Sequence, residues 1–233
     1  MDNVSIRFKT LRVDENPGQL TCHDVVNIPG VYGVEIYNRI RREVEASNLL
    51  PWHKNHHLVV DYRSFKDCPT IKYVIQDVCK LFKIIPIVRR VNVFRGGERG
   101  HLSTSDYKPF HHDKGAFIPG LKQNITVVVS FGATREVGFK YKGTETIISN
   151  VVTSGSIYAF CRDVNCEFQH GLLPANDKVT DTVNDRISIV VWGYNQDLDI
   201  TTSRVSSVNM RPNYAELGLA KRRRLPNSRH KNT

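Results

Sequence analysis

The chain is poor in the features that usually fix a small protein from outside its core. Its five cysteines, Cys22, Cys68, Cys79, Cys161 and Cys166, are an odd number in 233 residues and include no Cys-x-x-Cys pair. That argues against a disulfide framework and for reduced thiols in an intracellular protein. Cys161 and Cys166 resemble half of a zinc site, but no second pair completes it. The opening residues MDNVSIRFKT hold no apolar signal core, and no run approaches membrane-spanning length. A soluble protein of the cytoplasm or nucleus, with no membrane partner, is therefore expected. No internal repeat occurs. A single-sign field over the body is also missing. The formal charge is +10, yet residues 204–233 hold eight Lys/Arg against one acid, Glu216, leaving 25 bases and 22 acids before them. The basic field belongs to a tail, which suits phosphate binding or an address more than it identifies a substrate.

What is present divides into three stretches. Residues 1–86 are expected to form an elaboration of strand and helix. Val4, Ile6 and Phe8 alternate as a strand does. Val34 to Leu49 carries Ile36, Ile40 and Val44 on one helical stripe. Leu58 to Tyr62 reads as a short strand. Pro69 opens a second helix with Ile71, Val74, Ile75, Val78 and Phe82 at helical spacing, a pattern of core packing. Residues 87–200 change rhythm to eight short runs between Gly, Pro, Asn and Asp turns: Ile87–Phe94, Phe110–Asp113, Asn124–Phe131, Gly138–Tyr141, Thr146–Val151, Ser156–Phe160, Glu167–His170 and Arg186–Tyr194. That spacing predicts an α+β protein, with a double-stranded β-helix (jelly roll) core flanked by N-terminal helices. Residues 201–233 read as a flexible basic tail containing Lys221-Arg222-Arg223-Arg224, a candidate nuclear address or phosphate-binding arm.

The chemistry concentrates in Phe110-His111-His112-Asp113-Lys114, Gln169-His170-Gly171 and Asp185-Arg186-Ile187-Ser188. On an extended strand His111 and Asp113 share a face and His112 points away. Two imidazoles and a carboxylate on one side of a metal form the facial triad of non-haem Fe(II), with positions left open. A fork-shaped Arg in an apolar strand can hold a carboxylate bidentately. Taken singly, His111 and His112 read better as solvated loop residues and His170 as a polar turn residue before Gly171, and His112 competes with His111 as a ligand on spacing. The ordered set is what points to a site. His53, His56 and His57 have helical metal-site spacing, but Pro51 and Asn55 beside them favour a loop of solvated histidines.

With these motifs the chain resembles the Fe(II)/2-oxoglutarate-dependent dioxygenases, and within them the AlkB-like branch, over about residues 86–194. Asn92-Val93-Phe94-Arg95-Gly96 is similar to that branch's Asn-x-Tyr-x-x-Gly strand. Val129-Ser130-Phe131-Gly132-Ala133-Thr134-Arg135 is similar to its Ser-Leu-Gly-x-x-Arg strand. The resemblance implies His111, Asp113 and His170 as iron ligands and Arg186 as the partner of the distal carboxylate of 2-oxoglutarate. It further implies Ser188 and Asn92 as hydrogen-bonding groups for that co-substrate. Arg135 is implied as a pocket residue toward substrate or co-substrate, with a surface salt bridge as the alternative. The implied chemistry consumes O2 and 2-oxoglutarate, releases succinate and carbon dioxide, and hydroxylates or oxidatively demethylates a substrate C–H.

Three departures concern the substrate. Trp192 stands where the branch has a second Arg, Phe94 stands where it has a Tyr, and residues 98–110 form a longer connection, in which Tyr107 or Lys108 could replace a contact. The AlkB-like motifs, the basic tail and Lys83, Arg89, Arg90, Arg95 and Arg99 favour a nucleic-acid base (DNA or RNA) as substrate, with Trp52, Tyr62 and Phe65 as candidate lid aromatics. A protein side chain or small metabolite is the alternative substrate. A non-catalytic nucleic-acid-binding module is a further one, opposed by the intact triad. Oligomeric state is not legible in the sequence.

Overall fold

A computed structural model describes residues 25–52, 57–95, 107–118, 120–174 and 185–198. The expected strand at 4–12, His53, His56, Arg99, the connection 98–106 and the basic tail lie outside these residues. In chain order the elements are β1 (Val25–Ile28), α1 (Val34–Glu45), β2 (Leu49–Trp52), β3 (His57–Val60) and α2 (Pro69–Leu81). They are followed by β4 (Ile85–Phe94), β5 (Lys108–His111), β6 (Ile125–Gly132), β7 (Arg135–Tyr141), β8 (Ile147–Val152) and β9 (Ser156–Cys161). The last are α3 (Arg162–Glu167), β10 (Phe168–Leu172) and β11 (Arg186–Tyr194). Among the described residues no helix is long and apolar enough to cross a membrane.

Two antiparallel sheets face each other. The larger runs β1-β9-β6-β11-β4-β3-β2 and the smaller β5-β10-β7-β8, the two-sheet arrangement of a jelly roll. Both faces of the larger sheet are covered, so its central strands lose the polar alternation of a half-exposed sheet. β6, Ile-Thr-Val-Val-Val-Ser-Phe-Gly, is buried up to its final glycine. Strand alternation then sorts β11: Ile187, Ile189 and Val191 join the cluster beneath the helices, while Val190 and Trp192 join the cluster between the sheets. Arg186 and Ser188 share that inner face.

The helices cover the outer face through spacing readable in the sequence. α2 buries Ile71, Val74, Ile75 and Val78, and α1 buries Tyr37, Ile40 and Val44. Each fully buried aliphatic side chain contributes roughly 1.5–3 kcal/mol. Pro69 starts α2 where its missing N–H costs nothing. The Glu43 carboxylate on α1 then accepts the Thr70 and Ile71 N–H groups at 2.7 and 3.0 Å, satisfying two orphan donors and the helix dipole together.

Three local differences from the sequence reading have simple causes. The helix expected to reach Leu49 ends at Glu45, because Ser47 and Asn48 break it and Leu49–Trp52 pairs with β3 instead. β2 tolerates Pro51 because it is an edge strand. β4 begins at Ile85, one residue before Pro86, and Pro86 sits opposite Gly193 where the β4–β11 register shifts. The strands β1, β2 and β3 are members of the larger sheet, so the segment before residue 87 builds part of the same layer as the strands after it.

Candidate metal centre and its two cavities

β5 and β10 are hydrogen-bonded neighbours with His111 directly opposite His170, which brings the two rings to 4.4 Å between centroids. β5 ends at His111, yet the backbone stays extended through Asp113 (φ −70°, ψ 112°), so alternation carries Asp113 back to the face of His111. Asp113 Oδ1 lies 3.6 Å from His170 Nε2 and 3.9 Å from His111 Nε2. One ligand atom from each residue falls within 4.8 Å of the others, and among the described residues no other group of His, Cys, Asp and Glu does this.

His112 is turned away. Its Nδ1 donates to the Asn165 carbonyl at 2.6 Å, and its ring packs edge-on against Phe117. Asn165, on α3, also clamps Asp113: its Oδ1 accepts the Asp113 N–H at 2.7 Å and its Nδ2 donates to the Asp113 carbonyl at 2.9 Å. Thr126 on β6 donates to Asp113 Oδ2 at 3.0 Å, leaving Oδ1 toward the histidines. His111 Nδ1 donates to the Pro109 carbonyl at 2.9 Å, which fixes the tautomer with the lone pair on Nε2. That Nε2 is buried and has no hydrogen-bond partner. His170 Nδ1 makes no hydrogen bond either, so its ring is held by packing against Phe160 and Phe139.

Electrostatics prepare the set for a cation. Burial, with the Lys108 and His170 charges, pushes the His111 imidazole well below its ordinary 6.5, keeping it neutral. Burial works against the Asp113 charge, but His170, His111 and Lys108 outweigh it and hold the carboxyl well below the usual carboxylate range. A neutral His111 beside an ionised Asp113 is the protonation state that metal ligation requires of those two groups.

Behind the cluster is a chamber of about 40 Å³ whose walls include Arg186, Asn92, Ser188 and Tyr158. Register builds it: Ser188 on β11 is opposite both Asn92 on β4 and Ser130 on β6. Arg186, 2% exposed, donates from Nε to Ser130 Oγ at 3.0 Å, hydrogen-bonds the Tyr158 hydroxyl, and lies 5.3 Å from the Phe94 ring. Burial, then the Arg135 charge, lowers the pKa of Arg186, with Tyr158 opposing. Asn92 Nδ2 donates to Ser188 Oγ at 3.2 Å. Two buried polar atoms remain without partners, Arg186 Nη2 and Asn92 Oδ1. A buried guanidinium N–H left unpaired is costly, and a carboxylate is its natural partner.

In front of the cluster opens a basin of about 330 Å³ lined by Trp52, His57, Val88, Arg90, Lys114, Gln123 and others. Lys108, His111, Asp113 and Trp192 line both cavities, so the ligand cluster stands at their junction. His57, which the sequence reads as a solvated loop residue, is instead 1% exposed and stacks on Phe94. Trp52 is in the basin wall, whereas Tyr62 is exposed and Phe65 packs against the helix-side core. Arg135 is 4% exposed, close enough to Arg186 to depress its pKa, but neither Arg135 nor Tyr107 is among the residues lining the two cavities.

Sequence reasoning missed Asn165, Thr126, Tyr158 and Gln123. Only Tyr158 left a trace: it alternates with Ser156 and Phe160 on β9 and so faces inward. Its hydroxyl stands beside Arg186, so the chamber has a phenol although Phe94 supplies none.

No protein-family model matches the chain, and no curated protein matches it. Solved structures do. A prolyl-4-hydroxylase from Pseudomonas putida is 11% identical with a TM-score of 0.50, covering 74% of this chain and 93% of its own. An oxidoreductase of the 2OG-Fe(II) oxygenase family from Burkholderia pseudomallei is 14% identical at a TM-score of 0.47, covering 74% and 87%. A prolyl hydroxylase from Trichoplax adhaerens, in complex with a hypoxia inducible factor oxygen degradation domain peptide, is 13% identical at 0.46, covering 78% and 88%. At these identities the likeness is one of fold, the jelly roll of 2OG-Fe(II) oxygenases.

Proposed function

We propose that the chain is an Fe(II)- and 2-oxoglutarate-dependent dioxygenase of AlkB-like type that hydroxylates, or oxidatively demethylates, a C–H on a nucleic-acid base. The observation that carries this reading is the placement of His111, Asp113 and His170 beside a buried Arg186 whose Nη2 has no partner. Bound there, Fe(II) with 2-oxoglutarate and O2 supplies an oxidative decarboxylation to succinate and carbon dioxide that drives C–H hydroxylation.

The residues fit these groups. His111 Nε2, with its tautomer fixed through Pro109, offers a lone pair, and Asp113 offers Oδ1 while Thr126 occupies Oδ2. Arg186, braced by Ser130 and Tyr158, presents Nη2 to a carboxylate, and Asn92 and Ser188 present a hydrogen-bonding edge on the neighbouring strands. The apolar walls at Val128, Val137, Leu172 and Val190 exclude water and strengthen the charge pairing. The front basin admits substrate to the opposite side of the ligand cluster.

The aromatic and cationic walls of that basin, Trp52, Trp192, Arg90, Lys108 and Lys114, support a base captured out of its stack. A second reading is hydroxylation of a protein side chain. Trp192 replaces the branch's second Arg, and a solved structure similar in fold is a prolyl-4-hydroxylase. Fe(II)-dependent formation of succinate from 2-oxoglutarate, measured with single-stranded oligonucleotides and with a proline-containing peptide, tests both. Absence of metal binding and of turnover with either would leave only a nucleic-acid-binding module.

A further inference from the structure

The apolar strand β6 carries two hydroxyls, Thr126 and Ser130, and both are buried. A buried hydroxyl costs free energy unless it has a hydrogen-bond partner. Each of these finds its partner in the site. Thr126 Oγ1 donates to Asp113 Oδ2 at 3.0 Å, and Ser130 Oγ accepts from Arg186 Nε at 3.0 Å. β9 pairs with β6 and sets Phe160 opposite Thr126 and Tyr158 opposite Val128, each pair sharing one face. Tyr158 hydrogen-bonds Arg186, and the Phe160 ring centroid lies 4.7 Å from that of His170. Neither strand supplies a candidate metal ligand, yet the pair Thr126–Phe160 touches two of the three.

The three candidate ligands are held unequally. His111 donates from Nδ1 to a fixed backbone acceptor, the Pro109 carbonyl. Asp113 is clamped along its backbone by Asn165 and at Oδ2 by Thr126. His170 Nδ1 is buried without a hydrogen-bond partner, so nothing polar orients that ring from behind. Metal-ligating histidines ordinarily donate their second N–H to an acceptor that fixes the ring. At His170 packing takes that role. Phe160, fully buried, meets the ring at an interplanar angle of 52°, whereas Phe139 is farther off at 6.3 Å between centroids. Dispersion is weak per atom pair but acts over the whole face of a ring.

We propose that the cross-strand pair Thr126–Phe160 positions the metal centre, Thr126 setting the Asp113 carboxylate and Phe160 setting the His170 ring. This rests on the reading of His111, Asp113 and His170 as metal ligands. Those ligands belong to β5, the residues just after it, and β10, so the pair acts from the larger sheet across to the smaller. With Oδ2 bonded to Thr126, Oδ1 is the oxygen left beside the imidazoles. The Phe160 ring keeps His170 Nε2 at 3.6 Å from that Oδ1. Phe160 lines neither cavity, so its effect on bound metal passes through His170. The competing outcome is that both residues only fill the core between the sheets.

Mn(II) titration and Co(II) absorption of the full chain separate positioning from core filling. Thr126→Val is nearly isosteric and removes the hydroxyl. It should weaken Mn(II) binding by about tenfold and shift the Co(II) bands, and Thr126→Ser should restore both. Phe160→Leu should also weaken Mn(II) by about tenfold and broaden the Co(II) bands. Phe160→Met, read in the same way, stands in if that variant does not fold. Phe131, fully buried in the cluster beneath the helices, supplies the control. Phe131→Leu should lower the thermal midpoint of the metal-free chain as Phe160→Leu does, yet leave Mn(II) affinity and the Co(II) spectrum unchanged. Co(II) bands unaltered in Thr126→Val or in the Phe160 variant overturn the proposal. So does an equal spectral change in Phe131→Leu, or a Thr126→Ser variant that restores nothing. Metal binding indifferent to His111→Ala and Asp113→Ala removes the metal centre and this proposal with it. Binding that needs both residues but ignores Thr126→Val and the Phe160 variant keeps the centre and removes only the positioning pair.

Discussion

The chamber behind the ligand cluster and the basin in front of it are built by opposite strategies. The chamber's polar groups come from the regular register of β4, β11, β6 and β9: Asn92 and Arg186 each bond a neighbour on the next strand, and Tyr158 reaches Arg186 across β6. The basin draws on β2, β3, β4 and β11 of the larger sheet, on β5 of the smaller one, and on the segments after β5 and before β6. A narrow chamber of about 40 Å³ with one buried cation suits a single small anion. The basin, about 330 Å³ with aromatic walls and several cations, is where a different target would be accommodated. On the proposed function, the contrast teaches that regular strand register would hold the co-substrate, while a mixed wall of strands and connections would receive the substrate.

The sharpest way to break this comparison is at the junction. Asp113→Ala or His111→Ala should lower Mn(II) affinity by at least about 100-fold, whereas His112→Ala should cost no more than about tenfold, because its ring is turned to the Asn165 carbonyl and touches none of the three ligand atoms. A Mn(II) titration in which His112→Ala is the most damaged variant would reverse the ligand assignment. Next in size, Arg186→Ala should weaken 2-oxoglutarate binding by about 10- to 100-fold in the metal-loaded chain, as expected for charge-assisted hydrogen bonds. Calorimetry showing undiminished co-substrate affinity would move the carboxylate out of the chamber.

Asn165→Ala should cost about tenfold in metal affinity, because it frees the backbone of Asp113 on both its N–H and C=O sides. A Co(II) absorption spectrum reports whether the ligand geometry changes with it; an unaltered spectrum and affinity would make the clamp purely structural. The smallest effect is on stability. His111 is held below its ordinary 6.5, so in the metal-free chain the unfolded state takes up a proton first as pH falls through that value, and native stability declines. Asp113 acts in the same direction only at more acid pH, beginning near its ordinary 3.8. Thermal midpoints of the metal-free chain should fall between about pH 7.5 and about pH 5.5, where His111 titrates in the unfolded state. Bound metal should reduce the fall near neutrality, and a midpoint that rises over this range would contradict the buried neutral imidazole.

Much of the scaffold was legible because its signals are periodic. The α2 stripe and the two-residue alternation of β11 state their own burial, and Pro69 states where a helix begins. What stayed hidden was short. β1 is four residues paired with β9, and α3 is under two turns, too brief for any period. Asn165 sits on that helix, 52 residues from the Asp113 it clamps, and Thr126 is 13 residues from the same carboxylate. No local pattern marks a partner at such distances. His57 illustrates the opposite failure: Pro51 and Asn55 made its neighbourhood look like a solvated loop, but pairing of β2 with β3 carries the ring into the basin against Phe94.

By itself the sequence determined the order of the strands in the chain, the candidate metal-ligating residues and the side on which Arg186 falls. Each of these follows from residue chemistry and a period of two. Strand alternation already favoured His111 over His112 beside Asp113; tertiary structure decided what fixes that choice, because the Asn165 carbonyl holds His112 while the β5–β10 register sets His111 against His170. It also decided that Trp52, Arg90, Gln123 and Trp192 share one basin. Those residues are far apart in the chain, and the pairing of β2, β3, β4 and β11 in one sheet, with the turn before β6 beside it, brings them together.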